Sequence, residues 1–170
     1  LKKDLKTDYL PIIAEDLGVI TKDVEELREN YELPGMKILQ FAFDGNEKNP
    51  YLPKNIKGDN WVVYTGTHDN ATTISWWESL EDNIKFNLKE NYKFSNNPSW
   101  DLIEIGMKTK ANLFISPIQD ILSLDDSSRL NTPGTIVNNW KWKLNKPLNE
   151  IEHNLMEFSK LGNTYGRISN

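Results

Sequence analysis

Two acidic residues stand at equivalent places in the predicted secondary structure. Glu15 follows the apolar run Leu10–Ala14, and Asp69 follows the run Trp61–Thr65 across a short turn. Because the carboxyl ends of parallel strands open onto one face, the two carboxylates could meet there. Glycoside chemistry requires such a pair, since one carboxyl must protonate a poor leaving group while another stays ionised beside a positively charged transition state.

Each acidic residue also has a structural interpretation. Asp16 and Asp69 are of the type that bonds its own backbone in turns and at the start of helices. His68, next to Asp69, could be a packing residue as well as a functional one. On spacing alone, both interpretations stay open.

The tryptophans also have two interpretations, as sugar-binding faces and as core residues. The chain has six tryptophans, and an indole offers a flat apolar face to the C–H surface of a sugar ring. Those near predicted loops are Trp76, Trp77, Trp140 and Trp142. Trp61, Trp77 and Trp100 lie on predicted strand and helix faces, which favours a place in the core.

The elements that must position these residues alternate between strand and helix. The predicted strands are Leu10–Ala14, Met36–Phe43, Trp61–Thr65 and Leu113–Ile118, and the predicted helices are 21–31, 72–92, 97–107 and 148–161. Alternation predicts an α/β fold with a parallel sheet and right-handed crossovers. Four strands suit a small doubly wound sheet or half of an eight-stranded barrel, since a whole barrel takes about 250 residues.

Composition excludes several classes of function. A net charge of −5 and a pI near 5.1 give no basic surface for nucleic acid or an anionic membrane. With no cysteine and two histidines, disulfides and thiolate or histidine-rich metal sites are not expected, nor is any cofactor. No apolar run reaches the roughly 20 residues of a membrane span. We expect a soluble, cytoplasmic protein; the sequence says nothing about its oligomeric state.

The start of the chain is unusual. It opens at Leu1, without a methionine, in a charged segment that leads into the first predicted strand. We expect a truncated start.

Several motifs together resemble the 4-alpha-glucanotransferase family (amylomaltases, or disproportionating enzymes). In chain order they are residues 14–18 (AEDLG), 33–43 (LPGMKILQFAF), 49–53 (NPYLP), 64–70 (YTGTHDN), 117–120 (PIQD), 129–135 (RLNTPGT), 139–142 (NWKW) and 165–167 (YGR). Their order and spacing are similar to the family's over nearly the whole chain. The resemblance implies the C-terminal half, strands five to eight, of a TIM (β/α)8 barrel, so that residues 1–170 form a partial catalytic domain truncated at its N-terminal side.

The resemblance also implies roles for named residues. Glu15 matches the general acid/base, and Asp69 matches a third carboxylate that holds the sugar's ring hydroxyls, with His68 as its partner. Substrate binding is implied for His68, Asn70, Asn131, Pro133 and Gly134. The nucleophilic aspartate belongs to strand four, upstream of Leu1, so the chain alone is expected to be inactive.

Departures from the family pattern concern the acceptor side. Lys54, Ala71, Lys141 and Lys143 replace residue types common in the family, and lysine cannot make the bidentate contacts of arginine. The loop 44–60 and the region 131–142 are expected to shape acceptor sites.

The implied function is transfer of 4-alpha-glucan segments between alpha-1,4-glucans, or to glucose, by a retaining double displacement. The implied partners are alpha-1,4-glucans and maltooligosaccharides. Two alternatives stay open: a non-catalytic alpha-glucan-binding fragment and a related alpha-glucan hydrolase.

Overall fold

A computed structural model of the chain describes residues 2–8 and 10–168, so Leu1, on which the expected truncation rests, lies outside it. Three strands are present in this part: β1 (Gly35–Ile38), β2 (Trp61–Tyr64) and β3 (Leu113–Ile115). The α-helices are α1 (Lys2–Leu5), α2 (Lys22–Asn30), α3 (Thr73–Ser79), α4 (Asp82–Tyr92), α5 (Pro98–Met107), α6 (Ile118–Ile121) and α7 (Leu148–Thr164). Short 3-10 turns cover Leu39–Phe41, Pro53–Asn55 and Asp126–Ser128.

The three strands form one parallel sheet in the order β1-β2-β3. Gly35 lies opposite Trp61, and Tyr64 lies opposite both Ile38 and Ile115. The connections between these parallel strands are long enough to carry crossovers, as such strands require. The predicted α/β class with a parallel sheet is confirmed.

The predicted strand Leu10–Ala14 is wrong. These residues have no regular secondary structure and lie outside the sheet, with Ile12 and Ile13 40% and 44% exposed. One backbone hydrogen bond joins them to the β1 side, from the Ala14 N–H to the Pro34 carbonyl at 2.8 Å. A strand needs a partner along its length to satisfy its backbone groups, and this segment has one contact of that kind.

Other predicted elements are shorter than expected. The strand expected to reach Phe43 ends at Ile38, because the chain turns into a 3-10 helix at Leu39. The strand expected to reach Ile118 ends at Ile115, and Pro117, which has no N–H for a ladder, precedes α6. The helix expected over 72–92 is two helices, because Leu80 is extended, with ψ at 146°. The helices 97–107 and 148–161 are confirmed as α5 and α7.

The main core lies between the sheet and the helices α3 to α5. Its fully buried side chains include Leu39, Val63, Leu88 and Leu102. Trp77 stacks on Phe94 with ring centroids 5.3 Å apart and planes nearly parallel at 5°. The tryptophans predicted for the core pack against buried clusters, and so does Trp76, which is partly buried.

Helix α5 and strand β3 approach each other closely at Gly106. A Cβ added to Gly106 would lie 2.6 Å from Cδ2 and 2.9 Å from Cζ of Phe114. Just beyond, Arg167 donates to backbone carbonyls at the end of α5, among them that of Met107 at 2.9 Å. The motif at 165–167 thus closes the open end of this helix, where carbonyls lack helical partners.

No helix in residues 2–8 and 10–168 is both long and apolar enough to cross a membrane.

Candidate active site at the carboxyl ends of the strands

A cavity of about 280 Å³ opens at the carboxyl ends of the strands. Tyr64 and Ile115, the last residues of β2 and β3, contribute to its wall. Glu15, His68 and Asp69 line it together. The expectation that Glu15 and Asp69 meet at one face therefore holds in the structure, although the segment before Glu15 is not a strand.

The loop after β2, residues 66–72, is closed by Asn70. Its Oδ1 accepts hydrogen bonds from the backbone N–H and the hydroxyl of Thr67, both at 2.8 Å. This is the turn-forming behaviour typical of asparagine. The amide oxygen of Asn70 is therefore engaged within the loop.

Asp120 anchors both ends of this loop through hydrogen bonds to the residues that flank it. Its buried carboxylate accepts from the Thr65 hydroxyl at 2.6 Å, and from the backbone N–H and hydroxyl of Thr73 at 2.8 Å each. Burial raises the pKa of the Asp120 carboxyl, while the hydrogen bonds from Thr65 and Thr73 act to lower it. Thr65 follows β2 and Thr73 begins α3, so one side chain sets the span of the loop.

Asp69 is held on three sides. The Asn131 amide donates to its Oδ1 at 2.5 Å, and Nε2 of His68 lies 3.2 Å from the same oxygen. Arg129 donates to the Asp69 backbone carbonyl at 2.7 Å. Within the described part of the chain, no group bonds Oδ2. One carboxylate oxygen is thus fixed by the protein while the other is available to a ligand.

Arg129 connects the loop after β2 to the region that follows it. Besides Asp69 it donates to the Asn131 carbonyl at 2.9 Å, and it lies 3.4 Å from the Asp126 carboxylate. Asp126 in turn accepts from the Thr72 N–H at 2.8 Å. No role was expected for Arg129 or Asp120 from the sequence, where the only signal was that each lies in a motif shared with the family.

Glu15 is held through its neighbour. The Asp16 carboxylate accepts from the Met36 N–H at 2.6 Å and lies 3.4 Å from Nε of Arg28. The Asp16 and Arg28 side chains are 9% and 8% exposed, and the Arg28 guanidinium covers the Trp61 ring at 4.3 Å. Asp16 is therefore a structural residue, but it bonds the distant Met36 N–H and Arg28 and not its own backbone in a turn, as the structural interpretation expected. The exposed Glu15 carboxylate has no hydrogen bond or ion pair with any described residue.

The region 131–142 carries an exposed loop that reaches His68. The hydrogen bond from the Thr135 N–H to the Thr132 carbonyl, at 3.2 Å, closes a turn in which Pro133 and Gly134 are the central residues. Gly134 has φ at 79°, which glycine adopts without strain. Pro133 and Gly134 lie outside the lining of the 280 Å³ cavity. Trp140, further along, packs against His68 with ring centroids 4.9 Å apart.

The loop 44–60 is ordered by amide side chains. Buried Asn49 donates to the Phe41 carbonyl at 2.7 Å and accepts from the Tyr51 N–H at 2.8 Å. Asn55 donates to the Asn49 carbonyl at 2.8 Å. The loop borders a separate cavity of about 160 Å³ that includes Glu47. Its expected part in an acceptor site stays a prediction.

No cluster of three or more histidine, aspartate or glutamate side chains suited to a metal ion occurs among the residues the structure describes.

Comparison with known proteins identifies the family. The family model of 4-alpha-glucanotransferase matches residues 1–149. The 4-alpha-glucanotransferase of Synechocystis is 48% identical over 138 residues, which cover 80% of this chain and 27% of that enzyme. The Thermus thermophilus enzyme of the same name is 43% identical over 143 residues, covering 79% of this chain and 29% of its own length.

Among solved structures, the chain is similar to two amylomaltases. The amylomaltase from Streptococcus agalactiae, in complex with acarbose, superposes with a TM-score of 0.89 at 30% identity over 99% of this chain and 34% of that one. The amylomaltase from Corynebacterium glutamicum shares the fold, with a TM-score of 0.64 at 16% identity over 92% of this chain and 29% of that one. The chain thus spans about a third or less of each relative. By its sequence and by its fold, the chain belongs to the 4-alpha-glucanotransferase family.

Proposed function

We propose that this chain supplies the acid/base side of an active site that transfers 4-alpha-glucan segments between alpha-1,4-glucans, or to glucose. The observation that carries the proposal is that Glu15, His68 and Asp69 line one cavity. The family membership and the acarbose complex of the S. agalactiae amylomaltase support an alpha-glucan or maltooligosaccharide as the ligand.

In the proposed mechanism, Glu15 works twice. It first protonates the glycosidic oxygen of the leaving glucan as the bond to the anomeric carbon breaks, and it then takes the proton from the 4-hydroxyl of the incoming sugar. An exposed carboxylate without a partner is free to exchange this proton. Asp69 uses Oδ2 to hold the ring hydroxyls while positive charge develops on the sugar.

The nucleophile of the double displacement is proposed to be an aspartate on a segment that this chain does not contain. In a retaining pair the nucleophile and the acid/base lie about 5 to 5.5 Å apart. We propose that β1, β2 and β3 are strands six, seven and eight of a TIM barrel, with residues 10–14 at the position of strand five. Residues 1–170 would then be a partial catalytic domain.

The isolated chain is accordingly proposed to be inactive and prone to self-association through the edges of its sheet. Unpaired strand edges invite pairing with another chain. Turnover of maltotriose by the isolated chain would contradict this part of the proposal.

The test of the activity uses a protein that carries this segment together with the proposed strand four. With maltotriose, we expect glucose and longer maltooligosaccharides, resolved by chromatography, because transfer keeps the glucan on the enzyme until a sugar acceptor arrives. Glucose and maltose without longer products would identify an alpha-glucan hydrolase instead. Glu15→Gln is expected to abolish both products, whereas the exposed Glu90→Gln on α4 serves as the matched control.

A further inference from the structure

Trp140 has a backbone conformation that large residues avoid. Its φ is 60°, and Asn138, two residues earlier, has φ at 63°. A bulky residue in this left-handed region is an outlier, and it persists only where the surrounding structure holds it. Such outliers cluster at sites that bind or react with ligands.

The loop before Trp140 supplies that support. The Asn139 side chain accepts from the Thr132 N–H at 3.0 Å and donates to the Thr135 carbonyl at 2.9 Å, which ties the two ends of the turn together. The Trp140 N–H then donates to the Leu130 carbonyl at 2.7 Å. The strained position is therefore held by the hydrogen bonds of the Asn139 side chain and of the Trp140 N–H.

Burial does not account for this arrangement. The indole packs against the His68 ring at 4.9 Å, with a tilt of 40° between the planes, yet Trp140 is 62% exposed. The indole N–H groups of Trp61 and Trp100 donate to the carbonyls of Lys57, at 2.8 Å, and Ile121, at 3.2 Å. That of Trp140 has no acceptor among the described residues. The side chain thus offers an open apolar face and a free donor beside the cavity.

We propose that Trp140 is a further substrate-binding residue, whose indole stacks on the C–H face of a glucose unit next to the unit held by Asp69 and His68. This inference rests on the proposed function, because it takes an alpha-1,4-glucan as the ligand. An aromatic face suits the apolar side of a sugar ring, and the indole N–H suits a sugar hydroxyl. The contact with His68 links this platform to the catalytic cavity.

The first test uses a protein that carries this segment together with the proposed strand four, in the Glu15→Gln background to prevent turnover. It follows the indole N–H signals in ¹H–¹⁵N correlation spectra during titration with maltoheptaose. Trp140→Phe assigns its signal by deletion. We expect the Trp140 signal to shift with the saccharide, while those of Trp61 and Trp100, whose donors are bonded within the protein, stay in place.

The second test separates binding from folding. Trp140→Gly removes both the indole and the backbone strain, so we expect an unchanged or higher Tm together with an affinity for maltoheptaose about tenfold weaker by calorimetry. Trp140→Phe keeps an aromatic face and should recover most of that affinity. Phe86→Ala, on α4 and 67% exposed, is the matched aromatic control and should change neither quantity.

The outcomes are distinct. If the protein with Trp140→Gly binds maltoheptaose as tightly as the protein that retains Trp140, the inference is overturned while the proposed glucan site stands. If Tm and affinity fall together and Trp140→Phe restores neither, Trp140 is structural and the inference is overturned as well. If the protein that retains Trp140 does not bind maltoheptaose, the proposed glucan site fails, and the inference fails with it.

Discussion

Glu15 and Asp69 line the same cavity, yet the chain holds them in different ways. Asp69 sits in a loop whose ends are fixed by buried Asp120, and its Oδ1 receives the Asn131 amide. Glu15 has no bonded partner in the described part of the chain and depends on Asp16, which is tied to Met36 and Arg28.

This difference matches the work proposed for the two carboxylates. A group that stabilises developing charge is most effective when it is fixed before the substrate arrives, because no reorganisation is then needed during the reaction. A general acid/base must accept and release a proton in each cycle, and bonds that lock it in one charge state would oppose this. The predictions below test how far that distinction holds.

The largest effect is expected from removing either carboxylate in the complete enzyme. Glu15→Gln and Asp69→Asn should each lower kcat/KM for maltotriose by about a thousandfold, since acid/base and charge-stabilising groups contribute on that scale. With 4-nitrophenyl alpha-maltoside, whose leaving group needs no protonation, Glu15→Gln should recover the first step, seen as a burst of nitrophenol. Asp69→Asn should not recover. Equal behaviour of the two variants would remove the distinction between them.

The next effect is expected from removing Asp120, the buried residue that anchors the loop carrying Asp69. Asp120→Ala leaves the Thr73 N–H and two hydroxyls without their buried acceptor, so we expect a loss of about 3 kcal/mol in unfolding free energy by urea denaturation. Asp120→Asn can still accept from the Thr73 N–H and should lose much less. A small loss for Asp120→Ala would show that the loop does not need this anchor.

Asp120 also predicts a pH dependence. Burial raises its pKa above the ordinary value of 3.8, so the folded protein binds this proton more strongly than the unfolded chain does. Its contribution to stability is complete below that value and is lost as the pH rises through the raised pKa. The unsubstituted protein should therefore lose stability relative to Asp120→Asn over that rise. A difference that is constant with pH would contradict the assignment.

A smaller effect is expected on the Glu15 side. In Gly35→Ala the new Cβ would lie 2.6 Å from Cζ3 of Trp61 and would also collide with the Asp16 carboxylate. We expect a loss of about 2 kcal/mol by thermal denaturation, because Asp16 must leave the Met36 N–H. In Gly162→Ala in α7, the new Cβ meets Cδ1 and Cγ1 of Ile168 at 3.2 and 3.3 Å. A small shift of that partly exposed side chain relieves the contact, so we expect a stability close to that of the unsubstituted protein. If Gly35→Ala is equally harmless, Asp16 is not the support of this segment.

The smallest effect is expected from Asn131→Ala. This change removes one donor to Asp69 Oδ1, while His68 still lies 3.2 Å away, so kcat should fall about tenfold with little change in Tm. Asn112→Ala is the matched control, because Asn112 is exposed at the amino end of β3. An unaltered kcat in Asn131→Ala would mean that His68 alone suffices to hold the carboxylate.

Strand β2 is the element that the sequence predicted best, because its residue composition, its ending and its pairing all favour a strand. Trp61–Thr65 is aromatic and β-branched, ends at Gly66, and has partner strands on both sides, so β2 forms close to where it was expected. Leu10–Ala14 has a similar apolar composition but one backbone bond to the β1 side. The two segments differ in whether neighbouring strands are present to pair with them, and local composition does not show this.

The residues of the candidate site also divide into those that local sequence could predict and those that it could not. Glu15 and Asp69 could be predicted because each follows an apolar run within a recognisable motif. Asp120 could not, because its partners Thr65 and Thr73 are 55 and 47 residues away and nothing in the local sequence points to them. Trp140 was expected only as a general sugar-facing aromatic, since its left-handed φ of 60° follows from the hydrogen bonds of the folded loop.

The close approach of Gly106 to Phe114 carries a consequence for experiments that rank positions by tolerance. Any side chain at Gly106 must displace a ring in the interior, so a saturation library selected for growth should be depleted there as strongly as at Glu15. Gly106 lies within α5, away from the cavity that Glu15 lines. Depletion in such a library therefore reports the folding of the scaffold and the chemistry of the cavity alike, and a second readout of protein abundance is needed to tell them apart.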